Sequence, residues 1–184
     1  MVSKLIELLP ILLVSTTIII EPIGVMRSDA IVQSQPSPTA EIDASIEQLK
    51  AGDEAALTRQ IDNSIEQLKT ARSVSQLRLN QYILTKIGTK TIPKLILLLQ
   101  DKEAATRSSA TTVLANIGAA TIPDLMPLLA DRDKNVRSSA VSALGKMGTS
   151  AKSTIPNLIP LLNDEDLEVR SIVVTTLKQL GYKP

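Results

Sequence analysis

The feature that most constrains what this chain can fold into is that it repeats itself. Thr91-Ile92-Pro93, Thr121-Ile122-Pro123 and Thr154-Ile155-Pro156 open three segments, thirty and then thirty-three residues apart. Each segment passes through the same landmarks in the same order. Leu98-Leu99, Leu128-Leu129 and Leu161-Leu162 come first, then Asp101, Asp131 and Asp164, then Arg107, Arg137 and Arg170. Leu114, Leu144 and Leu177 follow, and Gly118, Gly148 and Gly181 close the units. A period near thirty residues with this much internal identity marks an array of supersecondary units, none of which can bury its apolar face alone.

The physics inside one unit predicts two antiparallel helices. In Thr121-Ile122-Pro123-Asp124-Leu125-Met126 the threonine is placed to cap, and Pro123 falls in the first turn, where its missing N–H costs nothing. Ile122, Leu125, Met126 and Leu129 then recur at helical spacing. Pro127 and Pro160 lie one turn further in and should kink this first helix, whereas Leu97 holds that place in the preceding unit. After the charged turn from Asp131 to Asn135, a second helix carries Val136, Ala140, Leu144 and Met147 on one stripe and stops at Gly148, a natural left-handed cap. Gly148 to Thr154 is three residues longer than its counterparts and should lengthen the loop or start the next helix early.

Composition narrows the chemistry. The 184 residues include no Cys and no His, which removes Cys/His zinc sites, disulfides, Ser-His-Asp triads and Cys-His pairs. Tyr82 and Tyr182 are the only aromatic residues, so no stacking platform for bases can be assembled and the core must be aliphatic. Twenty Lys and Arg against nineteen Asp and Glu leave a net charge of +1 with no block of one sign, so electrostatics nominates no nucleic acid. No cofactor is expected.

The amino-terminal stretch has a different character. Lys4 precedes an apolar run from Leu5 to Ile20 interrupted by Glu7, Pro10 and Ser15-Thr16-Thr17, and Ser28-Asp29-Ala30 places small residues as a signal peptidase requires. Residues 1–30 therefore read as an export signal, with an uncleaved membrane anchor and a cytoplasmic start as alternatives. The destination of an exported chain would be a periplasm, a thylakoid lumen or the cell exterior. The only membrane contact foreseen is through residues 1–30. The polar, proline-bearing residues 31–41 read as a disordered linker.

The pattern Ile122-Pro123, Leu128-Leu129-Ala130-Asp131, Val136-Arg137-Ser138-Ser139-Ala140 and Ala143-Leu144-Gly145-Lys146-Met147-Gly148 resembles the HEAT-repeat family. In particular it is similar to the bacterial HEAT-like repeats first named from phycobilisome lyases. The resemblance implies an all-α fold, a short right-handed α-solenoid of helical hairpins, with units at 89–118, 119–148 and 149–184. A degenerate capping unit precedes them within residues 42–88: Leu68, Leu84, Ile87 and Gly88 keep the register, while Ala71 and Leu77 take the places of the Asp and the Arg. Upstream, Ile42-Asp43-Ala44-Ser45-Ile46-Glu47-Gln48-Leu49-Lys50 recurs at Ile61 to Lys69 with one substitution, which suggests a local duplication adding a helix to the N-terminal end.

Two sets of polar residues invite a functional reading. The Asp101/Arg107, Asp131/Arg137 and Asp164/Arg170 pairs could line a groove for an anionic ligand. The favoured reading is structural, with each Asp capping the second helix or its turn and each Arg bonding a neighbouring unit's Asp or turn carbonyls. The resemblance to HEAT repeats, where such residues form a ladder, supports it. Asp131-Arg132-Asp133 and Asp164-Glu165-Asp166 read as solvated turns rather than metal or acid–base sites. The second helices of HEAT solenoids commonly line the concave side. The solvent-directed positions expected there are Ser108, Thr111, Thr112, Ser138, Val141, Ser142, Ser171, Val174 and Thr175. That face is small, hydroxyl-rich and nearly uncharged, and it suits a protein or peptide better than a phosphate backbone.

The function expected is a non-enzymatic protein-interaction module or scaffold. The alternative is a lyase-like or chaperone-like protein assisting chromophore attachment to phycobiliproteins, which the resemblance brings in and the export signal opposes. The HEAT-repeat hydroxylases bind iron through His-Glu motifs, which a chain without His cannot supply.

Overall fold

The computed structural model describes residues 37–183, so the readings of an export signal or anchor at 1–30, and of the linker up to residue 36, lie outside the described residues. Every regular element among them is helical. Three long helices come first: α1 (Pro38–Gly52), α2 (Glu54–Thr70) and α3 (Val74–Ile87). Three hairpins follow, α4 (Ile92–Leu98) with α5 (Ala104–Ile117), α6 (Ile122–Leu125) with α7 (Lys134–Met147), and α8 (Ile155–Leu158) with α9 (Leu167–Gln179). The described residues form an all-α solenoid. Its second helices, α3, α5, α7 and α9, stack directly on one another, while the first helices make few contacts among themselves, which puts the second-helix row on the tighter side of the stack.

The N-terminal helices follow from local chemistry. Ser37 accepts the Ala40 N–H and Pro38 occupies the first turn, so α1 begins inside the stretch expected to be linker, and residues 38–41 are helix. Asp53 and Ser73 cap α2 and α3 by accepting the N–H groups of Ala56 and Gln76, at 2.8 and 3.2 Å. The duplicated segment lies on α1 and α2, and the copies bury Ile42, Ile46 and Leu49 in one and Ile61 and Leu68 in the other, while Ile65, the counterpart of Ile46, is half-buried. Both copies also pair their aspartate with a lysine of the following helices: Asp43 with Lys86, and Asp62 with Lys94. Tyr82 donates to Asp43 as well, at 2.7 Å.

Proline decides the length of each first helix. Where Leu97 stands, α4 runs to Leu98. Where Pro127 and Pro160 stand, α6 and α8 stop after four residues and the chain continues as 3-10 turns, Pro127–Ala130 and Ile159–Asn163. The proline does more than kink the helix, because it removes the amide that would bond one turn back and crowds the carbonyl there. The threonines also act differently from expectation. Thr91, Thr121 and Thr154 are buried and donate backwards, to the carbonyls of Gly88, Gly118 and Ala151 at 2.7, 2.9 and 2.7 Å, instead of capping the helix ahead. They pin the 3-10 turn that reverses the chain.

Gly148 takes φ 58° and ψ −131°, an extended left-side conformation rather than the helical left-handed cap expected, and one that is essentially reserved for glycine. The three additional residues after it form one longer 3-10 helix, Gly148–Thr154, with Ala151 fully buried. The core is aliphatic throughout. Leu84, Leu95, Leu99, Leu114, Leu125, Leu144, Leu158 and Leu180 are completely buried, each contributing on the order of 2 kcal/mol relative to an exposed leucine.

Candidate interaction surface

The turns between paired helices hold the one buried charged residue among the described residues, Arg137, bonded to their carbonyls and aspartates. Asp101, Asp131 and Asp164 each accept the backbone N–H two residues on, from Glu103, Asp133 and Asp166, at 2.9, 2.8 and 2.9 Å. These aspartates thus close the turn, and the helix caps are the residues two further along. Asp133 caps α7 by accepting the Asn135 N–H, and Asp166 caps α9 by accepting those of Glu168 and Val169. Each arginine reaches back over its own turn. Nη1 of Arg107, Arg137 and Arg170 donates to the carbonyls of Asp101, Asp131 and Asp164 at 2.8, 2.8 and 2.6 Å, and a second carbonyl, one residue on, accepts from each.

The other edge of each guanidinium differs. Arg137 donates from Nε and Nη2 to both carboxylate oxygens of Asp164 in the next unit, each at 2.8 Å, and the two side chains are only 7% and 6% exposed. The Asp164 carboxyl is held below its usual range chiefly by those hydrogen bonds, against a burial effect that pushes it up. Arg107 does not meet Asp131; its Nη2 meets the Asn135 side-chain oxygen at 3.4 Å. Arg170 has no following unit to meet among the described residues. The three pairs share a sequence register and make three different contacts.

The degenerate unit has no such contact. Leu77 stands where the arginine would be, and a cleft of about 430 Å³ opens there, lined by Leu68, Arg72, Val74, Leu77, Glu103 and Thr106. The substitution of Leu77 in the Arg register is the sequence signal for this cleft. The clusters Asp131-Arg132-Asp133 and Asp164-Glu165-Asp166 spend their carboxylates on backbone amides and neighbouring cations. Lys134, for one, pairs with Asp166 at 3.0 Å. No group of three acidic side chains able to hold a metal ion is present among the described residues.

The expected solvent-facing row divides in two. Ser108, Ser171 and Thr175 are exposed, and Thr112, Ser138 and Ser142 are half-buried. Thr111 and Val141 do not face solvent as expected: they are 3% and 0% exposed. Their helix face is the one the next unit stacks on, and Thr176 of α9 donates to the Val141 carbonyl at 3.3 Å. Val174 occupies the same register in α9 and is 41% exposed. In the remaining row three of the six hydroxyl protons are used locally. Thr112 donates to the Ser108 carbonyl, Ser138 to that of Asn135 and Thr175 to that of Ser171, at 2.9, 3.1 and 3.1 Å. Outward, those three offer oxygen lone pairs, while the Ser108, Ser142 and Ser171 hydroxyls can donate as well as accept, with no formal charge among the six residues.

A family model described as HEAT repeats matches residues 92–177. Among solved structures, the complex of CpcE and CpcF of phycocyanin lyase from Nostoc sp. PCC7120 is similar, at 19% identity and a TM-score of 0.49, over 69% of this chain and 81% of that one. An engineered protein is also similar, at 18% identity and a TM-score of 0.40, over 78% of this chain and 64% of that one. No curated protein matches the sequence.

Proposed function

Residues 92–177 are HEAT repeats, and from that premise we propose that the chain is a non-enzymatic scaffold that binds a protein or peptide segment along its second-helix row. The observation that carries the reading is the row Ser108, Thr112, Ser138, Ser142, Ser171 and Thr175, which remains accessible on helices whose other faces are packed. Three of the six hydroxyls already donate to their own helix and act outward as acceptors, while Ser108, Ser142 and Ser171 can donate as well, so the row suits a partner that brings both N–H and C=O groups, such as the backbone of an extended segment. Without a cation it offers a nucleic-acid phosphate nothing to neutralise. Nothing in the row can move a proton at neutral pH, and the chain has neither His nor Cys. An exported location is part of the proposal and rests on Lys4, the apolar run to Ile20 and Ser28-Asp29-Ala30.

A photo-crosslinking residue at Ser108 or Ser142, in the full chain expressed in its own cells, tests the reading. The same residue at Lys94 or Pro123, on the first helices, is the control. One discrete protein adduct from the row, absent from the control positions and recovered outside the cytoplasm, is the expected result. Equal labelling from both sides refutes a dedicated row. Adducts with a pigment protein in the soluble cytoplasm would replace the scaffold by the lyase-like alternative.

A further inference from the structure

We propose that the cleft between the degenerate unit and the first full unit is a separate binding site, for a peptide segment of a partner protein that carries an aliphatic side chain next to an acidic one. It goes beyond the second-helix row, none of whose residues lines it.

The cleft is made by two departures from the repeat, one on each side of the unit boundary. Leu77 stands where Arg107, Arg137 and Arg170 stand, and Thr106 stands where Val136 and Val169 are buried. The corresponding space between the last two turns shows what the usual residues do there. It is lined by Arg132, Asp133, Lys134, Arg137, Glu165 and Asp166, and ion pairs cross it from Arg137 to Glu165 at 3.5 Å and from Lys134 to Asp166 at 3.0 Å. At the front of the array no ion pair crosses the space among the described residues, and Leu68, Val74 and Leu77 wall it instead. A boundary locked by charge in one place is left apolar in the other.

Thr106 adds a polar point to the apolar wall. It is 3% exposed, and its hydroxyl has no hydrogen-bond partner among the described residues. No fully enclosed side-chain oxygen or nitrogen among them lacks a partner, so this hydroxyl keeps an opening, and the cleft is what it lines. A nearly buried hydroxyl without a partner has more to gain from a ligand's backbone group than an exposed one has. Ser109 beside it already donates to the Ala105 carbonyl at 2.8 Å.

The rim sets the sign of the charge. Lys69 and Arg72 are exposed there and in no ion pair among the described residues, and Glu103 is the one carboxylate that joins them. Two cations against one anion favour an acidic group, and because all three are exposed the charge governs selectivity more than affinity. At about 430 Å³ the cleft is near the lower end of ligand pockets, which suits one aliphatic side chain and its neighbour in sequence.

The test titrates the peptide acetyl-Ser-Leu-Glu-Ser-amide into the isotope-labelled full chain, with the Leu-Lys and Ser-Glu versions of the same peptide as controls. The expected result is amide shifts within residues 72–77 and 103–109, saturating with a dissociation constant on the order of 1 mM or below, and controls about tenfold weaker or more. Thr106→Val returns the residue of the other units, and should weaken binding about fivefold without lowering the unfolding midpoint. Leu77→Arg puts the pattern's side chain into the space and should abolish the shifts. The proposal is overturned by no shift at about 10 mM peptide, by an equal response to the controls, or by binding unchanged in either variant. Shifts at Ser142 or Ser171 in place of the cleft overturn it as well and report on the second-helix row, so the two readings fail separately.

Discussion

The same substitution made at three equivalent positions should cost three different amounts, and the contacts fix the order. Arg137→Met removes two hydrogen bonds to a carboxylate that is itself almost fully buried, together with two bonds to turn carbonyls. The Asp164 carboxylate would be left buried with only the Asp166 N–H as partner. Breaking a buried pair by removing one side typically costs about 3–5 kcal/mol. Arg107→Met removes the same pair of carbonyl bonds and one long contact to a neutral amide, in a half-buried setting, and should cost about 1–2 kcal/mol. Arg170→Met removes carbonyl bonds at an open face and should cost about 1 kcal/mol or less. Denaturant unfolding of the three variants, with midpoint and slope both followed, reads the order directly, since an array can lose cooperativity as well as stability. Replacing Arg137 and Asp164 together by Met and Leu should recover much of the single-variant loss, because the uncompensated charge is gone. Equal losses at the three positions, or a double variant worse than the sum of the singles, would refute the reasoning.

Acid should act through the same pair: the Asp164 carboxyl lies below its usual 3.8 in the folded chain, so its stabilisation is complete above that value and is lost as pH falls through the depressed folded value. The unfolding midpoint should hold from neutral pH down to about 5 and drop below about 4, and in Asp164→Asn the acid limb should be shallower; an unchanged limb contradicts the assignment. Gly145→Ala places a Cβ 2.7 Å from the Thr176 hydroxyl and 2.6 Å from the Gln179 amide oxygen, with Thr176 itself buried and bonded to the Val141 carbonyl. The separation of α7 and α9 should cost about 1–3 kcal/mol and outweigh the roughly 1 kcal/mol of helix propensity gained, so a raised melting temperature would contradict the close approach. Pro127→Leu should let α6 run on by a turn as α4 does, visible as helical carbon shifts through residue 128; persistence of the 3-10 turn would show that proline is not its cause.

Much of the architecture is legible in the sequence because repetition averages out local ambiguity. One unit of this chain, with its two prolines and a short first helix, is a poor helix pattern on its own. Three in register make the hairpin unmistakable. The duplicated Ile-Asp-x-Ser-Ile segment resists reading in the same way until its partners are visible, since Asp43 and Asp62 find Tyr82, Lys86 and Lys94 some thirty to forty residues away. Register singles out the expected ladder residues, yet it does not set bond quality: Arg137 alone reaches the next unit's aspartate among the described residues. From Arg107 to the next unit's aspartate is 24 residues, and from Arg137 it is 27, with the additional turn of Gly148–Thr154 between. Only the longer step ends in a bidentate pair.

The candidate face is where spacing alone misleads, and the reason is physical. A helix in a solenoid has three kinds of surface: toward its hairpin partner, toward the neighbouring units, and toward water. Helical periodicity separates the first from the rest, but small residues serve stacking and solvent equally well, so Thr111 and Val141 look the same as Ser108 and Ser142 on a wheel. What distinguishes them is the presence of a next unit. Val174 is the same residue type as Val141 at the same register, buried in one case and open in the other. Whether a side chain is core or open surface is then a property of the stack rather than of the helix. On this argument Val174→Asp should leave the denaturant midpoint of the chain nearly unchanged, while Val141→Asp, which puts a carboxylate under α9, should lower it sharply; equal shifts in the two unfolding curves would contradict it.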